Sequence, residues 1–430
     1  MKKILLKLLQ ISARKVIEKH KPIVIGITWT VGKTTTTHFI YEFMSSLFWD
    51  SVYMSPYDYN WEYWLPLTVL QSKSPNRNLL LWILVFIKSF LLRFSKNYPK
   101  YLVLEYWIDH PGEMDFILWV AKPDYWIILN ISENHLLQFP HFEDYVNEKL
   151  KLPLNSKNII YNKDDIKLNE AFSKNHHENL LSFWISSKNA DLVAFNIVSD
   201  INNLKFDLEY KWHVHSLKYN LIWEFQTYNI LPAFALWAML GVEIEKIKEI
   251  MSNINPQKWR WVLLKWANNS IIIDGSYNWW CVAIGAWIWY MDSLEWDFFK
   301  ILFLWDMREL WDESKKLHLQ LANRIINSKI DKVVIVWEEM KKYAYEDLVK
   351  HLWEENVSWF MSSRQAGRKI REIIASTSKQ SVIFVKWSQN TIFLEEWIKE
   401  FLYDIRDASK LCRQWHHWMK KKDDFFNNAL

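Results

Sequence analysis

Glycine is nearly missing from this sequence. The chain has 430 residues and 7 glycines, where ordinary usage of about 7% would give about 30. So few glycines cannot serve the left-handed turns and close backbone approaches of a chain this long. Cysteine is scarce too. Cys281 and Cys412 alone exclude a disulfide framework and a cysteine zinc cluster, and they fit a reducing, cytoplasmic setting. A formal net charge of +4 is too mild for a dedicated nucleic-acid binder, so no nucleic-acid partner is expected. No apolar run is long enough to span a bilayer. The most apolar stretch, Asn78 to Phe94 (NLLLWILVFIKSFLLRF), is interrupted by Lys88 and Arg93 and falls short of the ~20 residues a spanning helix needs. It reads as a packed helix. The N-terminal stretch MKKILLKLLQISARKVIEKHK is broken by Lys7 and lacks a small-residue cleavage site, so it reads as a basic amphipathic helix over residues 1–21 rather than a signal peptide. With the apolar helix it leaves room for peripheral contact with a membrane surface, but not for a transmembrane span.

Tryptophan is in excess. Its 29 copies come close to filling the glycine deficit, and they fall where turns want glycine. The stretches NWEYWLP, KWRW, SYNWW, FLWDM and VKWS each place tryptophan at a strand end or loop bend, where glycine supplies positive φ at no steric cost. The composition predicts that most of these tryptophans are glycines, encoded by UGA in a lineage that reads this codon as glycine.

The pattern along the chain is α/β. PIVIGIT is a short apolar strand, and KTTTTHFIYEFMSSLF continues as a helix. KYLVLEYW and DYWIILNIS are further buried strands of the kind found in parallel sheets. Residues Phe183 to about Glu224 alternate like strands and read as a small mixed sheet appended to the core; NILPAFALWAMLGV reads as a helix. After Asn255 the style resets: SIIIDGSYN, KILFLWDM, KVVIVWEE and SVIFVKWS are four strands separated by helices. The expected architecture is a P-loop central domain with a mainly parallel sheet over 22–255, then a Rossmann-like α/β domain over 256–405 and a loose polar tail over 406–430. No internal repeat or low-complexity tract is present.

The segment GITWTVGKTTTT, Gly26 to Thr37, carries the first chemistry. With Trp29 read as glycine it becomes a phosphate-binding loop between a strand and a helix. Backbone N–H groups over Thr28, Trp29, Thr30, Val31, Gly32 and Thr35 would cradle phosphates. Lys33 would neutralise the β/γ oxygens and Thr34 would hold Mg²⁺. The spacing from residue 29 to Gly32 is shorter than in the standard Walker pattern.

This short GT-x-GKTTT loop resembles that of the ATP-dependent Mur ligases and their folylpolyglutamate-synthase relatives, which join a carboxylate to an amine through an acyl phosphate. The resemblance recurs in chain order over Pro22 to Phe401. NWEYWLPLT is similar to the segment after the family's loop helix. LEYWIDHPGEMDF resembles its E-x-G-x-x-x-x-G-E strand and turn, which implies that Glu105 binds Mg²⁺. NISENHLLQF resembles N-I-x-x-x-H-L and implies His135 as a second metal ligand. YVNEKLKL is similar to A-K-x-E-I and puts Lys149 at a lysine that the family commonly carbamylates, with Lys151 where an acid usually stands. YNKDD resembles N-x-D-D. WEFQTYNILPAFA resembles G-x-H-N-x-x-N-x-L-A-A and gives Asn229 a nucleotide contact, with Phe225 and Gln226 replacing the His-Asn pair. QKWRW gives Arg260 a phosphate role, and IIDGSYNWWCVA resembles D-D-S-Y-N-A-N-P-x-S, adding Asp274, Tyr277 and Asn278 to the nucleotide site.

FLWDMRELWDESKKLH and VKWSQNTIFLE resemble the G-D-M-x-E-L-G…H and K-G-S-R…M-E segments of the branch that adds D-Ala-D-Ala to a UDP-muramoyl tripeptide. That implies ATP and Mg²⁺ as cofactors and a UDP-muramoyl peptide and D-Ala-D-Ala as small-molecule substrates. Members of that branch carry a UDP-gripping domain ahead of the loop. Only residues 1–21 precede the first strand here, so the expectation is a chain without it, as in folylpolyglutamate synthases. The chemistry accounts for the residue types: phosphoryl transfer needs fixed positive charge from Lys33 and Arg260, and oxygen and nitrogen ligands from Thr34, Glu105 and His135. Lys149 joins them as a catalytic candidate. His318, on the helix after the G-D-M loop, is left open between substrate contact and helix packing.

Overall fold

The computed structural model describes residues 2–28, 33–55, 63–75, 78–131, 138–139, 141–151, 156–174, 177, 179–185, 189–201, 203–252, 262–265, 270–275, 281–294, 297–307, 313–386, 398–399, 405–411 and 418–423. The chain divides into two compact units, Met1–Asn255 and Pro256–Leu430.

The first unit runs α1 (Lys2–His20), β1 (Ile23–Thr28), α2 (Lys33–Phe48), β2 (Val52–Met54), α3 (Trp64–Val69), α4 (Leu79–Leu92), β3 (Tyr101–Glu105), α5 (Glu113–Val120), β4 (Tyr125–Ile128), α6 (Phe142–Leu150), β5 (Asn158–Asn162), α7 (Ile166–Ser173), β6 (Asn179–Trp184), β7 (Leu192–Ser199), β8 (Leu204–Tyr210), β9 (His213–Tyr219), α8 (Gln226–Leu240) and α9 (Ile244–Ser252). Its sheet has the order β2-β3-β1-β4-β5-β6-β7-β8-β9. Pairing is parallel from β2 to β7 and antiparallel at β7–β8 and β8–β9. The apolar strand runs make this a three-layer core, because successive side chains alternate between faces. Ile25, Ile27, Val103 and Ile127 pack with Phe39, Phe43 and Phe234 from α2 and α8. Val24, Leu102, Leu104 and Ile128 pack on the other face with residues from α1, α3, α5 and α6.

The second unit runs β10 (Val262–Lys265), β11 (Ile271–Asp274), α10 (Cys281–Ser293), β12 (Phe299–Trp305), α11 (Ser314–Ile326), β13 (Lys332–Val336), α12 (Glu338–Met340), α13 (Glu346–Leu352), β14 (Val357–Phe360), α14 (Ser363–Ala375) and β15 (Ser381–Lys386). Its sheet order is β10-β11-β15-β12-β13-β14, parallel except at the antiparallel β10–β11 pair. The four expected strands are β11, β12, β13 and β15.

Two expectations are corrected. The stretch from Phe183 to Glu224 is not an appended sheet. Its strands continue the main sheet, because β6 pairs with β5 over Asn158–Asn179 to Asn162–Phe183 and carries β7 on its other edge. The last stretch, residues 413–430, is not wholly loose, because Lys422 within it is buried.

The backbone bears on the tryptophans. Among the described residues, nine non-glycine residues have positive φ, and five of them are tryptophans: Trp49, Trp212, Trp223, Trp337 and Trp353. Trp337 (φ 86°, ψ −179°) and Trp353 (φ 71°, ψ 149°) occupy a region that is essentially reserved for glycine, at a cost on the order of 1–3 kcal/mol each. Trp212 is 93% exposed. The indole N–H groups of Trp126, Trp237 and Trp305 are buried without a hydrogen-bond partner among the described residues, although a buried tryptophan usually finds one.

Candidate functional site

β1 is where the first sheet changes direction: the chain passes from β1 to β2 and β3 on one side, then crosses to β4 on the other. Ligands of open α/β sheets bind outside the carboxyl ends of the strands at such a point. β1 ends at Thr28 and α2 begins at Lys33, so the expected phosphate loop hangs at this place. Trp29, Thr30, Val31 and Gly32 lie outside the described residues, as do His135, Arg260, Tyr277, Asn278 and the side chains of Lys33 and Thr34.

The frame around the loop is described. Thr28 is buried, and its Oγ1 donates to the Tyr106 carbonyl at 2.7 Å. The Tyr106 N–H donates back to the Ile27 carbonyl at 2.8 Å. These two bonds fasten the chain after β3 to the end of β1. Glu105 is half-buried and pairs in register with Ile27. By strand alternation it shares the face of Val103, which is the α2 face. The structure thus brings together Thr28, Glu105 and the start of α2 at one edge of the sheet.

The next strand ends are tied in the same way. The Ile131 N–H donates to Asp165 Oδ2 at 2.8 Å, and Asp165 also caps α7 by accepting the Leu168 N–H at 3.0 Å. Burial pushes the Asp165 carboxyl above the ordinary carboxylate range, against the pull of these N–H groups and of Lys149. Lys149, in α6, is fully buried, with its Nζ 5.0 Å from the Tyr145 ring centroid. Its neighbour Glu148 accepts the Met114 N–H at 3.0 Å and pairs with Lys151 at 2.8 Å. Lys151 also reaches Asp115 at 2.6 Å. The lysine that stands where an acid was expected therefore ties α6 to α5.

Asn229 lies at the start of α8, nearly fully buried. Its Oδ1 accepts Thr36 Oγ1 at 3.2 Å, and its Nδ2 donates to Gln226 Oε1 at 2.9 Å. Tyr228 donates to Asp164 Oδ2 at 2.6 Å, and the Ile185 N–H reaches the same oxygen at 3.0 Å. Burial, and then the bond to Asp164, raise the Tyr228 hydroxyl pKa, so it stays protonated as a donor. Thr36, Tyr228 and Asp164 were not singled out from sequence, although each sits inside a quoted motif; Gln226 was noted only as a departure from the family's His-Asn pair.

In the second unit, Asp274 ends β11 fully buried, one register step from Lys386, which ends β15 and donates to the Gly275 carbonyl at 2.7 Å. Asp306 follows β12 and accepts the N–H groups of Met340 at 2.7 Å and Glu339 at 3.0 Å. Burial pushes its pKa up to about 6. His318 is fully buried. Its Nε2 accepts the Met307 N–H at 3.0 Å, so its Nδ1–H donates to the Ser314 carbonyl at 2.8 Å. That fixes one neutral tautomer and resolves the open choice: His318 packs on α11 and holds the backbone of the WDM turn.

Residues 27–237 match the Mur ligase middle domain. The chain therefore carries a Mur ligase middle domain. Its relatives include the UDP-N-acetylmuramoyl-tripeptide–D-alanyl-D-alanine ligase of Borreliella burgdorferi, 26% identical over 339 residues that make up 78% of this chain and 66% of that one. The enzyme of the same name from Bacillus subtilis is 24% identical over 382 residues, 88% of this chain and 76% of that one. Among solved structures, the chain shares its fold with the MurF ligase of Thermotoga maritima in complex with ADP, at a TM-score of 0.72 and 20% identity over 94% of this chain and 84% of that one. A crystal structure of MurF from Acinetobacter baumannii gives 0.73 at 20% identity, over 92% of this chain and 80% of that one.

Among the described residues, no three His, Cys, Asp or Glu side chains form a metal-holding group. Of the three expected donors, only the side chain of Glu105 lies among the described residues; its carboxylate and the Thr34 hydroxyl are oxygen donors of the kind magnesium takes, whereas His135 would offer nitrogen.

Asp306 and His318 give the second unit opposing pH dependences. Between about pH 4 and 6 the folded Asp306 holds a proton that the unfolded chain has released, so its contribution to stability falls as pH rises, by up to roughly 3 kcal/mol. The His318 pKa is lowered by burial, so the stability it gives is present above about pH 6.5 and is lost as pH falls below it. Denaturant unfolding of Asp306→Asn against the parent from pH 4 to 7 is expected to show the parent losing ground as pH rises; parallel curves refute the Asp306 assignment.

Proposed function

We propose that this chain is an ATP-dependent carboxylate–amine ligase acting in the cytoplasm. The carboxylate belongs to a UDP-N-acetylmuramoyl tripeptide, and the amine is D-Ala-D-Ala. The observation that carries this reading is the junction at β1, where a strand–loop–helix with a GKT start meets Glu105 on the α2 face of the neighbouring strand. The substrates rest on the names of the Borreliella and Bacillus relatives.

In the first step a carboxylate oxygen of the peptide attacks the γ-phosphorus of ATP. The bond to the bridging oxygen breaks, ADP leaves and an acyl phosphate forms. The amine nitrogen then attacks the acyl carbon, phosphate departs and the nitrogen gives up a proton. Lys33 begins α2; its ammonium would add to the positive end of the helix and to the N–H groups of the loop that would wrap the phosphates. Arg260 supplies a second fixed cation, and Asn229, Asp274, Tyr277 and Asn278 are assigned to the nucleotide. Thr34, Glu105 and His135 would hold magnesium, which when bound neutralises charge on the phosphates. Lys149 would serve the same centre. It would do so in the carbamylated form that the resemblance implies, and it is fully buried beside Tyr145.

The reading requires a small residue at position 29, and we infer that Trp29 and the tryptophans at glycine-like backbone positions are glycines read from UGA. The supports are the glycine deficit, the positive φ values at Trp49, Trp212, Trp223, Trp337 and Trp353, and the unpartnered buried indoles. Mass spectrometry of the native peptide spanning Pro22 to Lys33 is expected to give a glycine mass at position 29. A tryptophan mass removes both the recoding and the phosphate loop.

With the glycine-restored protein, UDP-muramoyl tripeptide and D-Ala-D-Ala are expected to drive ADP release, and Lys33→Ala to lower it by at least about a hundredfold. Turnover retained in Lys33→Ala overturns the loop assignment. Turnover only with folate and glutamate reassigns the acceptor. ATP binding without any amide product marks a non-catalytic relative.

A further inference from the structure

α4 buries only a narrow stripe. Trp82, Val85 and Ser89 face the protein, where Tyr63 meets the Trp82 ring at 5.4 Å and α1 packs alongside. The rest of the helix is apolar and turned to solvent. Leu80, Ile83, Leu84, Ile87, Leu91 and Phe94 are 49–72% exposed, a face about 22 Å long at the helical rise. A contiguous apolar face of this length on one helix is more than scattered surface leucines and marks an interaction surface.

The charge around it is predominantly positive, with Glu18 of α1 paired to Arg14 at 2.7 Å. No acidic residue occurs between Glu62 and Glu105, while Lys73, Arg77, Lys88, Arg93, Lys96 and Lys100 do. α1, which joins α4 where the His20 ring meets the Leu92 carbonyl at 2.7 Å, has no acid before Glu18 and carries Lys2, Lys3, Lys7, Arg14 and Lys15. Lys88 is engaged with the Gln71 carbonyl, but Lys7, Lys96 and Lys100 are exposed. A second copy of this chain would bring like charges together across a shared face. An anionic bilayer surface meets both features at once, with its headgroups against the lysines and its acyl region under the leucines. No helix among the described residues is long and apolar enough to cross a membrane, so the contact lies in the interface plane.

We propose that the outer face of α4, rimmed by the cations of α1 and of the stretch after α4, docks the protein on an anionic lipid surface. The inference is independent of the ligase reading. The test is flotation of the full chain with vesicles of phosphatidylcholine alone and with about one-third phosphatidylglycerol, at low and high salt. Binding is expected only to the anionic vesicles and is weakened by salt. The double variant Leu84→Glu/Ile87→Glu is expected to abolish it. Lys96→Glu/Lys100→Glu, which leaves the apolar face intact, is expected to lower partitioning at least about tenfold. Protein that stays unbound with anionic vesicles overturns the proposal, as does equal binding to neutral vesicles that ignores the charge reversal. Concentration-dependent self-association lost in Leu84→Glu/Ile87→Glu, without vesicle binding, would assign the face to a second copy instead.

Discussion

The parallel register of β3 against β1 is the constraint on which the candidate site depends. Ile27 lies opposite Glu105, and the reciprocal bonds between Thr28 and Tyr106 lock that alignment one residue further on. A slip of one residue would send Glu105 to the opposite face of the sheet, away from α2. With the register held, the end of β1, the carboxylate and the first turn of α2 stand at one edge without any of them being strained into place. The rest of the edge is built the same way. Asp165 holds the chain after β4, and Asp164 holds the chain after β6 and the first turn of α8. Each strand end is fixed by a side chain from its neighbour, so an adaptable set of loops is carried on rigid points.

Much of this frame was legible in sequence because its signals are local. PIVIGIT followed by GKTTTT announces strand, loop and helix within a few residues, and the four apolar strands of the second unit are similarly self-contained. What was misread depends on partners far away in the chain. The alternation from Phe183 to Glu224 reveals strands but not that β6 will pair with β5, and so the segment looked like a separate sheet. β14 escaped notice because VSWF is a half-buried edge strand of four residues beside β13. For the site, the lysine and acid positions could be read from motif spacing. The residues that orient them could not: Thr36, Gln226 and Tyr228 act through contacts between α2, α8 and the turn after β5, which no local pattern encodes. His318 could not be assigned from its type. Two backbone groups on either side of its ring decide the matter.

The same contacts account for an odd feature of α2. Its first turns carry Thr34, Thr35, Thr36 and Thr37 in succession, β-branched residues that give up side-chain freedom in a helix. Thr35, Thr36 and Thr37 are buried, and Thr36 spends its hydroxyl on Asn229. Packing against α8, rather than intrinsic propensity, therefore sustains the start of this helix. That is where the helix must be firm, because its first N–H groups would face the phosphates.

The tryptophans separate what the backbone requires from what the side chain requires. Composition knows nothing of dihedral angles, and dihedral angles know nothing of codon usage. Yet the residue type that replaces glycine in number is also the one that takes glycine's conformations. At Trp337 and Trp353 the chain adopts φ and ψ values in which a β-carbon is penalised. A protein that needed indoles there would have chosen backbones that tolerate them, and one that buried Trp126, Trp237 and Trp305 for their own sake would have provided for their N–H groups. At these positions the fold asks for the absence of a side chain.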